Sequence, residues 1–159
     1  MEAAFASAAR LGIMIKQTKT LESASTIDTV VMDKTGTLTT GRFAVSRLAP
    51  AEGVDGAALL QAAADAEQSS NHPLARSILD TAEKARLEPQ SIDDYREIHG
   101  RGVQAEREDG LLRAGRGAWL RELNPQISEQ MAEVDQKISG MSSVHVMVGD
   151  RYLGAVGLE

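Results

Sequence analysis

The sequence predicts an α/β (α+β) chain in which helices pack on an antiparallel sheet over about residues 42–156. A short segment before it opens a different, parallel α/β domain. Three observations carry this reading. Alternating strands flank an Asp-Gly and a Gly-Asp turn in the second half. Capped helices with apolar residues at helical spacing lie between them. The run "IDTVVMD" (27–33) is β-branched and apolar on both faces, the pattern of a buried parallel strand.

Residues 2–10 are alanine-rich and read as a short helix, and "TKTLESAS" (18–25) as another turn or two. After the 27–33 strand and a polar loop to Gly41, "RFAVSRLAP" reads as a strand with Phe43 and Val45 on one face. Residues 55–67 form an alanine-rich helix. "NHPLARSILDTAEKARL" is the next, with Asn71 or Ser70 as its cap and Pro73 in its first turn, where a missing N–H costs nothing. Leu74, Ile78 and Ala82, widened by Ala75 and Leu79, give its buried stripe. Strands at 92–98 and 102–108 precede the hairpin turn "EDGL". "NPQISEQMAEVDQKI" is a helix capped by Asn124, with Ile127, Met131, Val134 and Ile138 inward. "SVHVMVGDRYLGAVGL" supplies two final strands.

Composition narrows the function. The 159 residues carry a net charge of −6, which argues against nucleic acid or an acidic membrane surface as partner. There is no cysteine, hence no disulfide framework and no thiolate metal site within this chain. No stretch approaches the ~20 apolar residues that span a bilayer, and the N-terminus lacks the pattern of a signal peptide.

The chemistry concentrates in "VVMDKTGTLTTG" (30–41). A carboxylate at the mouth of a buried parallel strand faces the crevice where α/β folds bind ligands. Asp33 can attack a phosphoryl group in line to give an aspartyl-phosphate. Lys34, the hydroxyls of Thr35 and Thr37, and the loop N–H groups can stabilise the charge on the phosphoryl oxygens. A hard divalent cation such as Mg²⁺ would bridge carboxylate and phosphate. A capping turn alone would not demand lysine and three threonines in this order.

"DKTGTLT" (33–39) resembles the phosphorylation motif of the P-type ATPases, ion pumps of the haloacid-dehalogenase superfamily. The resemblance implies that Asp33 is phosphorylated by ATP, with a partial Mg²⁺ site at Asp33 and Thr35. Phosphatases of the superfamily carry a second aspartate where this chain has Thr35, a change that suits slow hydrolysis of the phosphoenzyme.

No G-x-x-x-x-G-K-[ST] loop is present, so ATP must be held another way. "EQSSNHPLA" (67–75) and "HGRGV" (99–103) resemble the His-Pro and Gly-x-Gly motifs of the nucleotide-binding domain in heavy-metal-transporting P-type ATPases. By that resemblance Glu67 and His72 contact the base, and Gly100, Gly102 and Val103 line the nucleotide. "AGRGAWL" (114–120) is similar to the family's G-N-R-x-W segment at Gly115 and Trp119, with Arg116 in place of asparagine. Taken singly, a His-Pro at a helix start more often serves as a cap, "GRG" as a turn or bulge, and Trp119 as core. His99 and His145 carry no site reading, and His145 is expected to pack against a neighbour.

The resemblance implies three parts: residues 1–41 as membrane-proximal segment and start of the phosphorylation domain, 42–156 as nucleotide-binding domain, and 157–159 returning toward its remainder. Its partners are then ATP or ADP and the rest of the same ATPase, whose transmembrane and actuator domains and later catalytic loops are absent. "GIMIK" (12–16) is similar to a stretch of copper-type pumps, with zinc, cobalt or cadmium as alternatives. The fragment is expected to be a monomer from the cytoplasmic side of a membrane protein, binding nucleotide without transporting. The competing readings are a haloacid-dehalogenase-type phosphatase fragment and a non-catalytic nucleotide-binding module.

Overall fold

The computed structural model describes residues 2–33 and 42–159. The chain divides into two units, Met1–Thr40 and Gly41–Glu159.

In the first unit, α1 (Glu2–Arg10) and α2 (Thr18–Ala24) are helices without a buried residue. The expected strand at 27–33 is absent. These residues have no regular structure, and Val30 and Val31 are 72% and 94% exposed. The apolar pattern was legible, but a parallel strand is held by hydrogen bonds to neighbours on its edges. All six described strands belong to the sheet of the second unit, where every pairing is antiparallel. Lys34, Thr35 and Thr37, and with them the partial Mg²⁺ site, lie outside the described residues.

The second unit is a six-stranded antiparallel sheet in the order β1-β6-β5-β4-β3-β2. Its strands are β1 (Val45–Pro50), β2 (Asp93–Ile98), β3 (Gly102–Arg107), β4 (Gly110–Gly115), β5 (Ser142–Val148) and β6 (Arg151–Leu158). The chain enters at one edge on β1, and β6 lies beside it, so Leu158 pairs with Val45. Gly157 and Leu158 are therefore part of the sheet.

Each face of the sheet carries its own helices. On one, α3 (Gly56–Glu67) and α4 (Pro73–Lys84) bury Leu59, Ala63 and Ile78 against Leu112, Val146 and Val156. The alanines of α3 permit this close approach; Ala62, Ala63, Ala64 and Ala66 are all inaccessible to solvent. On the other face α5 (Gly117–Leu123), a 3₁₀ turn (Pro125–Ile127) and α6 (Ser128–Lys137) pack Trp119, Leu120 and Met131 over Met147, Tyr152 and Ala155. Each fully buried large aliphatic side chain contributes about 1.5–3 kcal/mol. Val156 and Ala155, adjacent on β6, fall in opposite cores, as strand alternation requires.

Three local readings change. The cap of α4 is His72, not Asn71 or Ser70: its Nδ1 accepts from the Leu74 N–H at 3.1 Å, while Ser70 Oγ accepts from the His72 N–H at 3.2 Å. The helix expected over 124–138 begins as a 3₁₀ turn, where Asn124 Oδ1 accepts from the Gln126 N–H. The short helix α5 was hidden from pattern reading by its glycine start and single turn or two. Its N-cap Arg116 has no side-chain bond to it, and packing of Trp119 and Leu120 holds it.

Candidate functional site

Where α3 ends and α4 begins, the chain crosses the end of the sheet that carries the β2–β3 turn. The two together enclose a cleft of about 480 Å³. Glu67, the last residue of α3, His72, Gly100 in the turn, Gly102 and Val103 at the start of β3, and Gly115 at the end of β4 all line it. All six residues carried over from the motif resemblance thus converge, although they span 49 positions of sequence (67 to 115).

The glycines have distinct tasks. Gly100 has φ +70°, a conformation that L side chains enter at a cost, and a Cβ there would meet nothing within 4 Å. It is a turn glycine with open space above it. Gly102 and Gly115 are ladder partners on β3 and β4. A Cβ on Gly102 would lie 2.1 Å from the Ala114 carbonyl oxygen, and one on Gly115 would lie 2.2 Å from that of Arg101. Gly102 was expected to let backbone approach a nucleotide, and Gly115 to be part of the same nucleotide site. Their immediate reason is the adjoining strand: no side chain fits between the two backbones.

Glu67 sets the electrostatics. It is 6% exposed, and among the described residues no Lys, Arg or His forms an ion pair with it. Burial pushes its carboxyl up to about 7; a hydrogen bond from Ser70 opposes the shift and the charge of Glu97 adds to it. Tyr95 donates to Glu97 Oε1 at 3.1 Å, and burial together with that carboxylate raises its phenol to about 12.

His72 presents its ring at the cleft with a defined tautomer. Because Nδ1 accepts from Leu74, the proton of the neutral ring sits on Nε2. Ile98, Val103, Leu74 and Val144 supply an apolar lining beside it. A flat, partly polar ring with a donor edge fits such a lining.

Sequence reading missed Ser70 as a site residue, and it missed Glu97, Arg101 and Ser143. Arg101 was legible inside "GRG"; its guanidinium pairs with Glu122 at 2.7 Å. Glu97, three residues before Gly100, carried no signal without the β2–β3 register. Arg116 lines the cleft as well.

His145 is 3% exposed and lies on the opposite face of the sheet. Its Nδ1 is 2.7 Å from the Tyr152 hydroxyl and its Nε2 3.4 Å from Asp135 Oδ1. It is a hydrogen-bonded core residue, as expected. Trp119 is core too. Among the described residues no three His, Asp or Glu side chains gather as a metal site, and no helix is long and apolar enough to cross a membrane.

Residues 27–158 match the haloacid dehalogenase-like hydrolase family. The chain is 37% identical over 149 residues to the cadmium, zinc and cobalt-transporting ATPase of Bacillus subtilis, covering 94% of this chain and 20% of that protein. It is 34% identical over 150 residues to the copper-exporting P-type ATPase of Mycobacterium tuberculosis, covering 94% and 19%. The chain spans about a fifth of the length of these relatives. The solved catalytic CPx-ATPase domain CopB-B superposes with a TM-score of 0.71, at 23% identity over 98% of this chain and 51% of that one, which is a likeness of fold. On these grounds the chain belongs to the haloacid dehalogenase-like hydrolase family, and its relatives there are the heavy-metal-transporting P-type ATPases.

Proposed function

We propose that the chain is the ATP-binding part of a heavy-metal-transporting P-type ATPase, on the cytoplasmic side of a membrane protein. The observation that carries this reading is the convergence of Glu67, His72, Gly100, Gly102, Val103 and Gly115 on one cleft. Its volume is within the range of small-molecule sites, roughly 300–1,000 Å³. The adenine ring lies against the His72 imidazole and the apolar wall of Val103 and Ile98, with Glu67 at its polar edge. The deep end of the cleft is acidic and suits a base; Arg101 and Arg116 suit the phosphates.

In the intact pump an oxygen of Asp33 attacks the γ-phosphorus of ATP. A new O–P bond forms, the bond from that phosphorus to the β–γ bridging oxygen breaks, and ADP leaves with the electron pair. Asp33 and Thr35 would hold Mg²⁺, which would supply neutralising charge for the transferred phosphoryl group. Thr35, standing where related phosphatases have a second aspartate, removes that carboxylate as a base for water and so slows hydrolysis of the phosphoenzyme. The cargo is a heavy-metal ion; cadmium, zinc, cobalt and copper all figure in the relatives' names.

The test is a titration of the chain with ATP and ADP by calorimetry or NMR, beside His72→Asn. Asparagine keeps the cap on α4 and removes the imidazole face. Nucleotide binding that is lost in this variant while the fold is retained supports the site. Undiminished binding places the nucleotide elsewhere.

A further inference from the structure

Two carboxyl groups, Glu67 and Glu97, share the cleft, and two hydroxyls connect them. Ser70 Oγ accepts from the His72 N–H, which leaves its own proton for Glu67 or for the Tyr95 oxygen. Tyr95 spends its proton on Glu97. Glu97 therefore has a donor of its own, whereas Glu67 shares one with Tyr95 and is the more deeply buried. The other charged or titratable groups of the cleft are His72 on α4, His99 and Arg101 in the β2–β3 turn, and Arg116 before α5. None of them pairs with Glu67; Arg101 is bonded to Glu122 and His72 Nδ1 to its own helix.

Glu67 is buried and the exposed Glu97 beside it adds a like charge, so a proton is retained in the cleft. The geometry selects Glu67 to hold it, and burial raises that carboxyl to about 7. A neutral carboxyl group carries a donor and an acceptor side by side, and an ionised one carries acceptors only. The Watson–Crick edge of adenine offers an acceptor at N1 next to the donor at the exocyclic amino group. That of guanine offers two adjacent donors, N1–H and the amino group.

We propose that Glu67 recognises the base as a neutral carboxylic acid, donating its O–H to adenine N1 and accepting from the adenine amino group, with Glu97 as the positioning residue that keeps the proton there. This rests on the nucleotide reading above and goes beyond it, because it makes the choice of base depend on one proton. Above neutrality Glu67 loses that proton, its two oxygens face the N1 lone pair, and adenine is disfavoured while guanine is not.

The experiment is to titrate the chain with ATP and with GTP from about pH 5.5 to about pH 8.5, together with Glu67→Gln and Glu97→Gln. Glutamine has the same donor–acceptor edge as the neutral acid and cannot ionise. It also leaves the nucleotide phosphates and every other charged group of the cleft in place, so the wild-type profile divided by the Glu67→Gln profile isolates Glu67.

In that ratio ATP affinity is expected to fall about tenfold per pH unit above a midpoint near 7. The preference for ATP over GTP shrinks along with it, and Glu97→Gln moves the midpoint down by on the order of half a unit to one unit. The fold of each variant is checked by its amide NMR spectrum. A flat ratio, or ATP binding in Glu67→Gln weakened tenfold or more at low pH, overturns the neutral-acid proposal while leaving the nucleotide site standing. An unmoved midpoint in Glu97→Gln overturns the part given to Glu97. Absence of ATP binding at every pH overturns the nucleotide reading and this inference with it.

Discussion

Gly102 and Gly115 face each other across the β3–β4 ladder so closely that a methyl group on either would fall inside the backbone of the opposite strand, 2.1–2.2 Å from a carbonyl oxygen. The consequence is a ranking of three glycines in one cleft. Alanine at Gly102 or Gly115 has to push β3 from β4, at a cost on the order of 2–4 kcal/mol. Alanine at Gly100 meets open space and bears only the left-handed φ, about 1 kcal/mol. Urea midpoints of the three variants check the order.

His72 serves both the helix and the cleft. Replacement by alanine removes the acceptor for the Leu74 N–H and is expected to cost about 1 kcal/mol, whereas asparagine restores the cap to within a few tenths. Under the proposed nucleotide site, both variants are expected to lose nucleotide affinity. Denaturation and nucleotide titration on the same pair separate the two roles, and equal stability of the alanine and asparagine variants would count against the cap.

Asp65 is inaccessible to solvent yet hydrogen-bond donors surround it. It accepts from the Arg107 guanidinium at 3.1 Å, the Gln90 N–H at 2.7 Å and the Gln61 amide at 2.8 Å. One carboxylate thus ties α3 to the loop before β2 and to the β3–β4 hairpin. Asp65→Ala leaves the Gln90 N–H without its acceptor and takes from Arg107 its buried partner, and is expected to cost about 2–3 kcal/mol. Because Arg107 is still held by Asp65, Asp109→Ala costs less, under about 1 kcal/mol for so exposed a partner. Thermal or urea unfolding of both checks the asymmetry.

Two buried groups give stability opposite slopes with pH. Burial holds His145 below its ordinary 6.5, with Asp135 opposing the shift and Arg121 adding to it. The unfolded chain then binds the extra proton first, so this contribution is present above 6.5 and is lost as pH falls below it. His145→Gln, which cannot charge, is expected to flatten that acid limb in urea unfolding followed from pH 7 downward.

Glu67 works the other way. Its carboxyl is raised from 4.5 to about 7, so the folded chain holds a proton that the unfolded chain releases between those values. Stability from this group is fully present below 4.5 and falls as pH rises to about 7. Glu67→Gln is therefore expected to be more stable than wild type by about 2–3 kcal/mol above pH 7 and equal to it in acid. Guanidinium midpoints at the two pH values decide it; a variant no more stable at pH 8 means that Glu67 is not strained by its charge.

The division between sequence and structure follows the range of the forces. Local signals were enough for most elements: Pro73 and Asn124 mark helix starts, Asp-Gly and Gly-Asp mark hairpins, and the stripe Ile127, Met131, Val134 and Ile138 marks a buried face. The six cleft residues were legible for a different reason, since each sits in a short motif whose residue types are unusual together. What failed was whatever needed a partner distant in sequence. The apolar run 27–33 reads as a strand, yet strand hydrogen bonds are made between segments, and the first unit has no strand among its described residues.

By itself, then, the sequence determined that helices cover an antiparallel sheet, and it marked Asp33 and the motifs between Glu67 and Gly115 as the candidates for chemistry and binding. Only the tertiary structure decided that Gly102 and Gly115 answer first to each other. It also decided that His72 is the cap, and that Glu97, Ser70 and Tyr95 stand around a buried Glu67. Charge and burial are properties of neighbours, and a chain acquires its distant neighbours only by folding.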